Sequence, residues 1–221
     1  SVNRWFGLRF KDKMINQDDE AREWLEDVTD KMYTAISRSN FQQEVFESYF
    51  DLIAFGTACL QIEEDKDDII RFSSRHIKEL YISENAKGMV NCIYRRFKMT
   101  AKATVEKFGI DNVSSKTLNV FKKSPFEDVD LCHVVKPRDI YNPKKMDKQN
   151  MPFTSCYFEY DSGHIISEGG FKEFPYVVPR YLKASNEIYG RSPGMNALAD
   201  VKILNKMVEI GMKAAAKQVD P

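Results

Sequence analysis

The chain has 221 residues, 43% hydrophobic and 12% aromatic, enough apolar material for a real core, which excludes a disordered tail. Lys plus Arg number 33 and Asp plus Glu also 33, so the formal net charge is zero; nothing favours non-specific wrapping of nucleic acid, and any basic surface must be local. Cys59, Cys92, Cys132 and Cys156 form no CxxC pair and suit a reducing compartment; with no membrane-length apolar run and no signal-peptide pattern, the sequence reads as soluble and cytosolic.

The first residue is Ser1, which fits either a piece of a longer protein or removal of an initiator Met. Trp5, Phe6, Leu8 and Phe10 read as an interior strand. Acidic residues then open an amphipathic helix, "NQDDEAREWLEDVTDKMYTAISRSNF", whose Trp24, Leu25, Val28, Met32, Ala35 and Ile36 recur at helical spacing. Ser39 or Asn40 can cap a second helix, "FQQEVFESYFDLIAFG", with so little polar face that burial on most sides is expected before Gly56 ends it.

From Thr57, "TACLQIEED", "DIIRFSS", "ELYISEN" and "GMVNCIYRRFKM" predict an antiparallel meander, with turns at "EEDKDD" and "ENAKG". Thr100 and Ser114 or Ser115 can cap two short helices, "AKATVEKF" and "KTLNVFKK". Strands resume at "VDLCHVVKP", "PFTSCYFEY" and "HIISEGGF"; then Pro175 and Pro179 keep "KEFPYVVPRYLKA" extended. A long helix follows from Ser192 or Pro193. The fold class expected is α+β, mixed helices and antiparallel strands with a long C-terminal helix.

No chemistry-bearing motif stands out. His76, His133 and His164 fall in separate strands or at their edges, none with a metal-ligand neighbour at the right spacing, and each reads as a surface or partly buried sheet residue. The carboxylates of "EEDKDD" lack the Gly and Glu of a calcium-binding loop and read as a solvated hairpin tip. "YGRSPG" is neither GxGxxG nor a P-loop, and no Ser lies in a GxSxG elbow. Catalytic, cofactor and metal residues are therefore expected to be none, although distant carboxylates of an acid/base hydrolase would leave no local signature.

The terminal helix says more. At about 100° per residue, Lys202, Lys206, Lys213 and Lys217 share one narrow strip with Glu209. The remaining arc, including Leu204, Met207, Val208, Gly211, Met212 and Ala215, is apolar over roughly 200°, wider than a surface helix needs. Such a helix buries two flanks, either between neighbouring subunits of a ring or as the centre of a monomeric bundle; on the plain reading the lysines are an ordinary solvated seam.

Trp5-Phe6, the Trp24-Leu25 helix, Ser39-Asn40-Phe41, "DLIAFGTACLQIEED", "HVVKPRD", "GGFKEFPYVVPRY" and above all "YGRSPGMNALADVKILN" run in order along nearly the whole chain. In that combination the sequence resembles the portal, or head-to-tail connector, proteins of short-tailed bacteriophages and prophages. The resemblance implies a wing domain over residues 1–188 and the first stem helix over 189–221, with clip, second stem helix and crown absent, as in a fragment. It further implies a homo-oligomeric ring, usually of twelve subunits, whose channel passes double-stranded DNA during packaging and ejection. Expected partners are capsid and scaffolding proteins, terminase, and tail or adaptor proteins, with no membrane. The expected location is the virion, assembled in host cytoplasm, and no catalysis or cofactor is implied. On this reading the four lysines face the channel and Leu204, Met207, Val208, Gly211, Met212 and Ala215 meet adjacent subunits. The other class is a monomeric or dimeric protein-binding module that offers the "FPYVVPRY" edge to a partner and uses the terminal helix as its core.

Overall fold

The computed structural model describes residues 4–145 and 147–219. Among these, helices α1 (Asp19–Arg38) and α2 (Phe41–Phe55) precede β1 (Leu60–Asp65), β2 (Ile69–Ser74), β3 (Leu80–Glu84) and β4 (Val90–Thr100). Helices α3 (Ala101–Phe108) and α4 (Ser115–Lys123) follow, then β5 (Asp128–Pro137), β6 (Phe153–Glu159), β7 (Ile165–Phe171), the two-residue β8 (Tyr176–Val177) and α5 (Pro193–Val219). The α+β class with a long C-terminal helix is as the sequence indicates.

The strands after Thr57 do not form one meander. They divide into a three-stranded sheet ordered β2-β1-β8 and a five-stranded sheet ordered β3-β4-β5-β6-β7, both antiparallel. The break lies between β2 and β3. There Arg75 N donates to Cys59 O at 2.8 Å, and His76 Nδ1 accepts from Lys78 N at 3.1 Å to start a single 3₁₀ turn, Ile77–Glu79. A turn of that kind redirects the chain where a two-residue hairpin would have kept the strands paired.

One face of the five-stranded sheet carries the core. Ile93, Arg95 and Phe97 of β4 stand opposite Val135, His133 and Leu131 of β5, which stand opposite Ser155, Tyr157 and Glu159 of β6. At one end Ile93 and Val135 join Leu80, Ile82, Cys59 and Tyr176, so the small sheet packs there. At the other, Phe97 and Leu131 join Val113 and Ile166 beneath Val105, Phe108 and Leu118 of the short helices. Burying Ile93, Leu131 or Val135 completely stabilises the fold by roughly 2 kcal/mol each.

Local capping fixes the small helices. Thr100 Oγ1 accepts from Ala103 N, and Ser114 Oγ accepts from Thr117 N at 3.2 Å. Buried Glu159 accepts from Ser114 N at 3.0 Å and from the Ser114 and Ser162 hydroxyls. Burial alone would raise its carboxyl, but these hydrogen bonds outweigh that and hold it below the ordinary range.

Two expectations fail at the N-terminal end. The Trp5–Phe10 stretch is not a strand: Trp5 N and Phe6 N both donate to Tyr33 Oη, which donates to Phe6 O, so a side chain of α1 takes the place of a partner strand. In α1 the buried positions are Leu25, Thr29 and Tyr33, while Trp24 and Met32 face outward.

Helix α2 is packed on one side only, not buried on most sides as the sequence suggested. Its packed side mixes half-buried Phe41, Val45 and Leu52, with Phe41 against the Phe72 ring at 5.0 Å, and polar groups: Asn40 Nδ2 donates to Phe72 O at 2.8 Å and Asn40 Oδ1 accepts from Phe72 N at 2.9 Å, while Glu44 accepts from Ser74 N and Ser48 lies 3.3 Å from the Ser74 hydroxyl. These groups, four residues apart, satisfy the free backbone edge of β2. Phe46, Tyr49, Phe50 and Ile53 are left 57–62% exposed.

Candidate functional site

The stretch "YGRSPG" seats α5 on the end of α2. Gly56 closes α2 at φ +75°, and a β-carbon there would lie 2.5 Å from the backbone of Gly190 and Arg191. A β-carbon on Gly190 would lie 2.1 Å from Gly56 O. The two glycines therefore let two backbones meet where no other residue fits. Gly190 N donates to Thr57 Oγ1 at 2.7 Å. Ser192 Oγ donates to Ala54 O and accepts from Met195 N, each at 2.8 Å, so one hydroxyl satisfies an α2 carbonyl and caps α5. Pro193 occupies the first helical position, where a missing N–H costs nothing.

Side chains brace this seat from the five-stranded sheet. Tyr189 Oη donates to Leu80 O and accepts from Ile82 N at 3.2 Å. Glu84 pairs with Lys183 at 2.7 Å and with Arg180, which also donates to Ile188 O and Gly88 O. Hydrogen bonds from Lys183 and then Arg180 hold the Glu84 carboxyl below its usual range.

Beyond its first turn α5 stands clear of the body. Its 27 residues extend about 40 Å, and Met195, Leu198, Val201, Ile203, Leu204, Met207, Val208, Ile210 and Met212 are 47–64% exposed. Gly211 and Ala215 are exposed as well, and nothing lies within 4 Å of the position of a Gly211 β-carbon. Leu204, Met207, Val208, Gly211, Met212 and Ala215 thus share one uncovered face. Lys202, Lys206, Lys213 and Lys217 are exposed along the opposite strip. Glu209 joins two of them, accepting from Lys206 at 2.8 Å and Lys213 at 2.6 Å, and these contacts lower its carboxyl. Lys202 has no ion pair among the described residues.

The sheet body holds a second polar arrangement that the sequence did not announce. Arg95, His133 and Tyr157 form one cross-strand row between the two apolar clusters. His133 is buried, not surface or partly exposed as its strand position suggested. Its ring stacks on Tyr157 at 3.8 Å and its two nitrogens lie 2.9 Å from Ser155 Oγ and 3.1 Å from Tyr176 Oη. Burial, reinforced by Lys107, Arg95 and Arg75, depresses the imidazole to about 3, so it stays neutral. Burial likewise pushes the Tyr157 phenol up to about 12. A Ser–His pair invites an acyl-transfer reading, but none of these groups lines either of two surface clefts. One, about 750 Å³, lies between Arg4, Arg9, Arg22 and Glu26 near α1; the other, about 260 Å³, is lined by Glu47, Phe50, Asp51, Ser74 and His76. At the "EEDKDD" tip, Asp65 Oδ1 accepts from Asp67 N and Asp68 N, so that carboxylate shapes the turn.

Two legs of the binding-module alternative meet opposing observations. The "FPYVVPRY" backbone is engaged by its own chain, with Ile62 N donating to Pro175 O and Ala58 N to Pro179 O, and the terminal helix is not a core.

The whole chain, residues 1–221, matches the family described as "Bacteriophage head to tail connecting protein". It is similar to the portal protein of Salmonella phage epsilon15, 33% identical over 220 residues, covering 98% of this chain and 39% of that protein. It is also similar to a probable portal protein of Bordetella phage BPP-1, 32% identical over 203 residues, covering 90% of this chain and 37% of the relative. The chain thus spans about two-fifths of the length of these curated relatives.

Proposed function

Because the chain belongs to the bacteriophage head-to-tail connecting protein family, we propose that it supplies the wing, residues 1–188, and first stem helix, residues 189–221, of a ring-forming portal. The ring, a dodecamer in this reading, stands at one capsid vertex and passes double-stranded DNA during packaging and ejection. It meets capsid and scaffolding proteins, terminase, and tail or adaptor proteins, assembles in host cytoplasm and remains in the virion. The role asks no catalysis of this chain. No helix among the described residues is long and apolar enough to cross a membrane.

One observation carries the proposal: α5 is anchored firmly at its base and bare of cover beyond it. An isolated helix with so many exposed apolar side chains gains nothing from its own body, because helical stability in proteins comes mostly from packing one face. In a ring, adjacent α5 helices cover one another through Leu204, Met207, Val208, Gly211, Met212 and Ala215, with Gly211 and Ala215 permitting close approach. The remaining strip, Lys202, Lys206, Lys213 and Lys217, faces the channel. Partly neutralised by Glu209, it offers weak, salt-sensitive phosphate contacts suited to sliding.

Imaging of particles assembled by the protein tests the ring, with closed rotational symmetry expected and uniformly monomeric particles contradicting it. For the channel, replacement of the four lysines by Ala should alter DNA retention in packaged heads. Unchanged packaging and retention, or lysines on the outer wall of the ring, would remove the channel assignment.

A further inference from the structure

The exposed stripe on α2 has a position and a charge that select its occupant. Phe46, Tyr49, Phe50 and Ile53 follow helical i, i+3, i+4, i+7 spacing and form an exposed stripe whose Phe50 reaches the smaller cleft. Beside them Glu47 and Asp51 line the smaller cleft, and neither has an ion pair among the described residues. Residues 1–68 hold sixteen acidic against eight basic side chains, a net of −8, whereas residues 69–221 hold 25 basic against 17 acidic, a net of +8. The molecule is neutral only as the sum of an acidic N-terminal third and a basic remainder.

We infer that the α2 stripe receives the first turns of α5 from a second copy of this chain, with Met195, Leu198 and Val201 on the aromatic side chains and Lys202 reaching the Glu47–Asp51 cleft. The inference rests on the ring proposed above. Rotation about a ring axis along α5 moves a neighbour sideways without changing its height. The neighbour's first α5 turns therefore lie level with the root of α5, which sits on Ile53 and Ala54 at the end of α2. Met195, Leu198, Val201 and Lys202 span about 120° of that helix, a single contact face. Lys202 is exposed and has no ion pair among the described residues.

The contact joins two different surfaces. A two-fold pairing of α2 with itself would set Glu47 and Asp51 against their copies, whereas α2 against α5 brings opposite charges together and propagates head to tail, as a ring requires. The assignment refines the lysine seam: Lys202 belongs to the subunit contact, leaving Lys206, Lys213 and Lys217 toward the channel.

Sedimentation velocity on Phe50→Asp, Leu198→Asp and their equimolar mixture tests this. Both positions are exposed, so each variant should keep the far-ultraviolet spectrum and melting temperature of the parent. Each variant alone should associate at least about tenfold more weakly than the parent. Mixed, they should form a capped 1:1 dimer, since each retains the face the other lacks; Lys202→Glu should weaken association in the same direction. A parent that oligomerises while Phe50→Asp behaves identically would overturn the α2 contact and leave the ring reading standing. Loss of association without recovery on mixing would show that the two faces do not meet. A parent that stays monomeric at every concentration would remove the ring reading and this contact together.

Discussion

The five-stranded sheet and helix α5 are opposites. In the sheet, polar groups are buried and find partners inside the molecule: His133 has a hydroxyl at each ring nitrogen, Glu159 has three donors, and Arg95 pairs with Glu79 at 3.0 Å. In α5, apolar groups are exposed and find none. The sheet satisfies its polar groups within the chain, whereas α5, like the outer stripe of α2, leaves its apolar groups uncovered by the chain's own body. The Gly56–Gly190 contact lies at the boundary and fixes where the first regime ends.

Substitutions that break the boundary should have the largest effect. Gly190→Ala or Gly56→Ala forces a β-carbon into backbone and should destabilise the protein by roughly 3 kcal/mol, combining overpacking with, at Gly56, a left-handed backbone. Thermal unfolding measures this. Gly211→Ala, in open space within α5, should instead be neutral or raise helicity, by up to about 1 kcal/mol.

The buried row predicts an acid limb. The folded His133 imidazole is depressed to about 3 against an ordinary 6.5, so the unfolded chain binds the extra proton between those values. The stabilisation is therefore full above pH ~6.5 and falls as pH drops toward ~3, at about 1.4 kcal/mol per pH unit from this group. Denaturant titrations should show that slope reduced in His133→Phe. The same variant should lose about 2 kcal/mol at neutral pH by leaving the Ser155 and Tyr176 hydroxyls without their partner.

Ser192→Ala removes a cap and an α2 contact together and should cost about 1 kcal/mol, read as a lower melting temperature. The smallest effect on the body sharpens the comparison most. Met207→Asp, on the uncovered face, should shift stability by no more than about 0.5 kcal/mol while reducing self-association in sedimentation.

The sequence made some of this legible and hid the rest for physical reasons. The start of α5 was readable because Ser192, Pro193 and the glycines act within a few residues of themselves. The caps at Thr100 and Ser114 were readable for the same reason. The orientation of α2 was not: its aromatic side chains suggested burial, and the contrary signal was the polar spacing Asn40, Glu44, Ser48, which gains meaning only beside the edge of β2. Trp5 and Phe6 looked like a strand because local pattern cannot tell a backbone partner from the Tyr33 hydroxyl. The Gly56–Gly190 approach joins positions far apart in the chain, and one sequence carries no record of such a pairing. In α5 the apolar arc was legible from periodicity; that the chain's own body leaves it bare was not.

Amide hydrogen exchange along α5, measured at increasing protein concentration, tests the central contrast most directly. The account predicts that β4 and β5 are protected at every concentration, while protection across Leu204–Ala215 appears only as the protein associates. Full protection of that segment in the dilute monomer, equal to the sheet, would contradict a helix that depends on neighbouring copies.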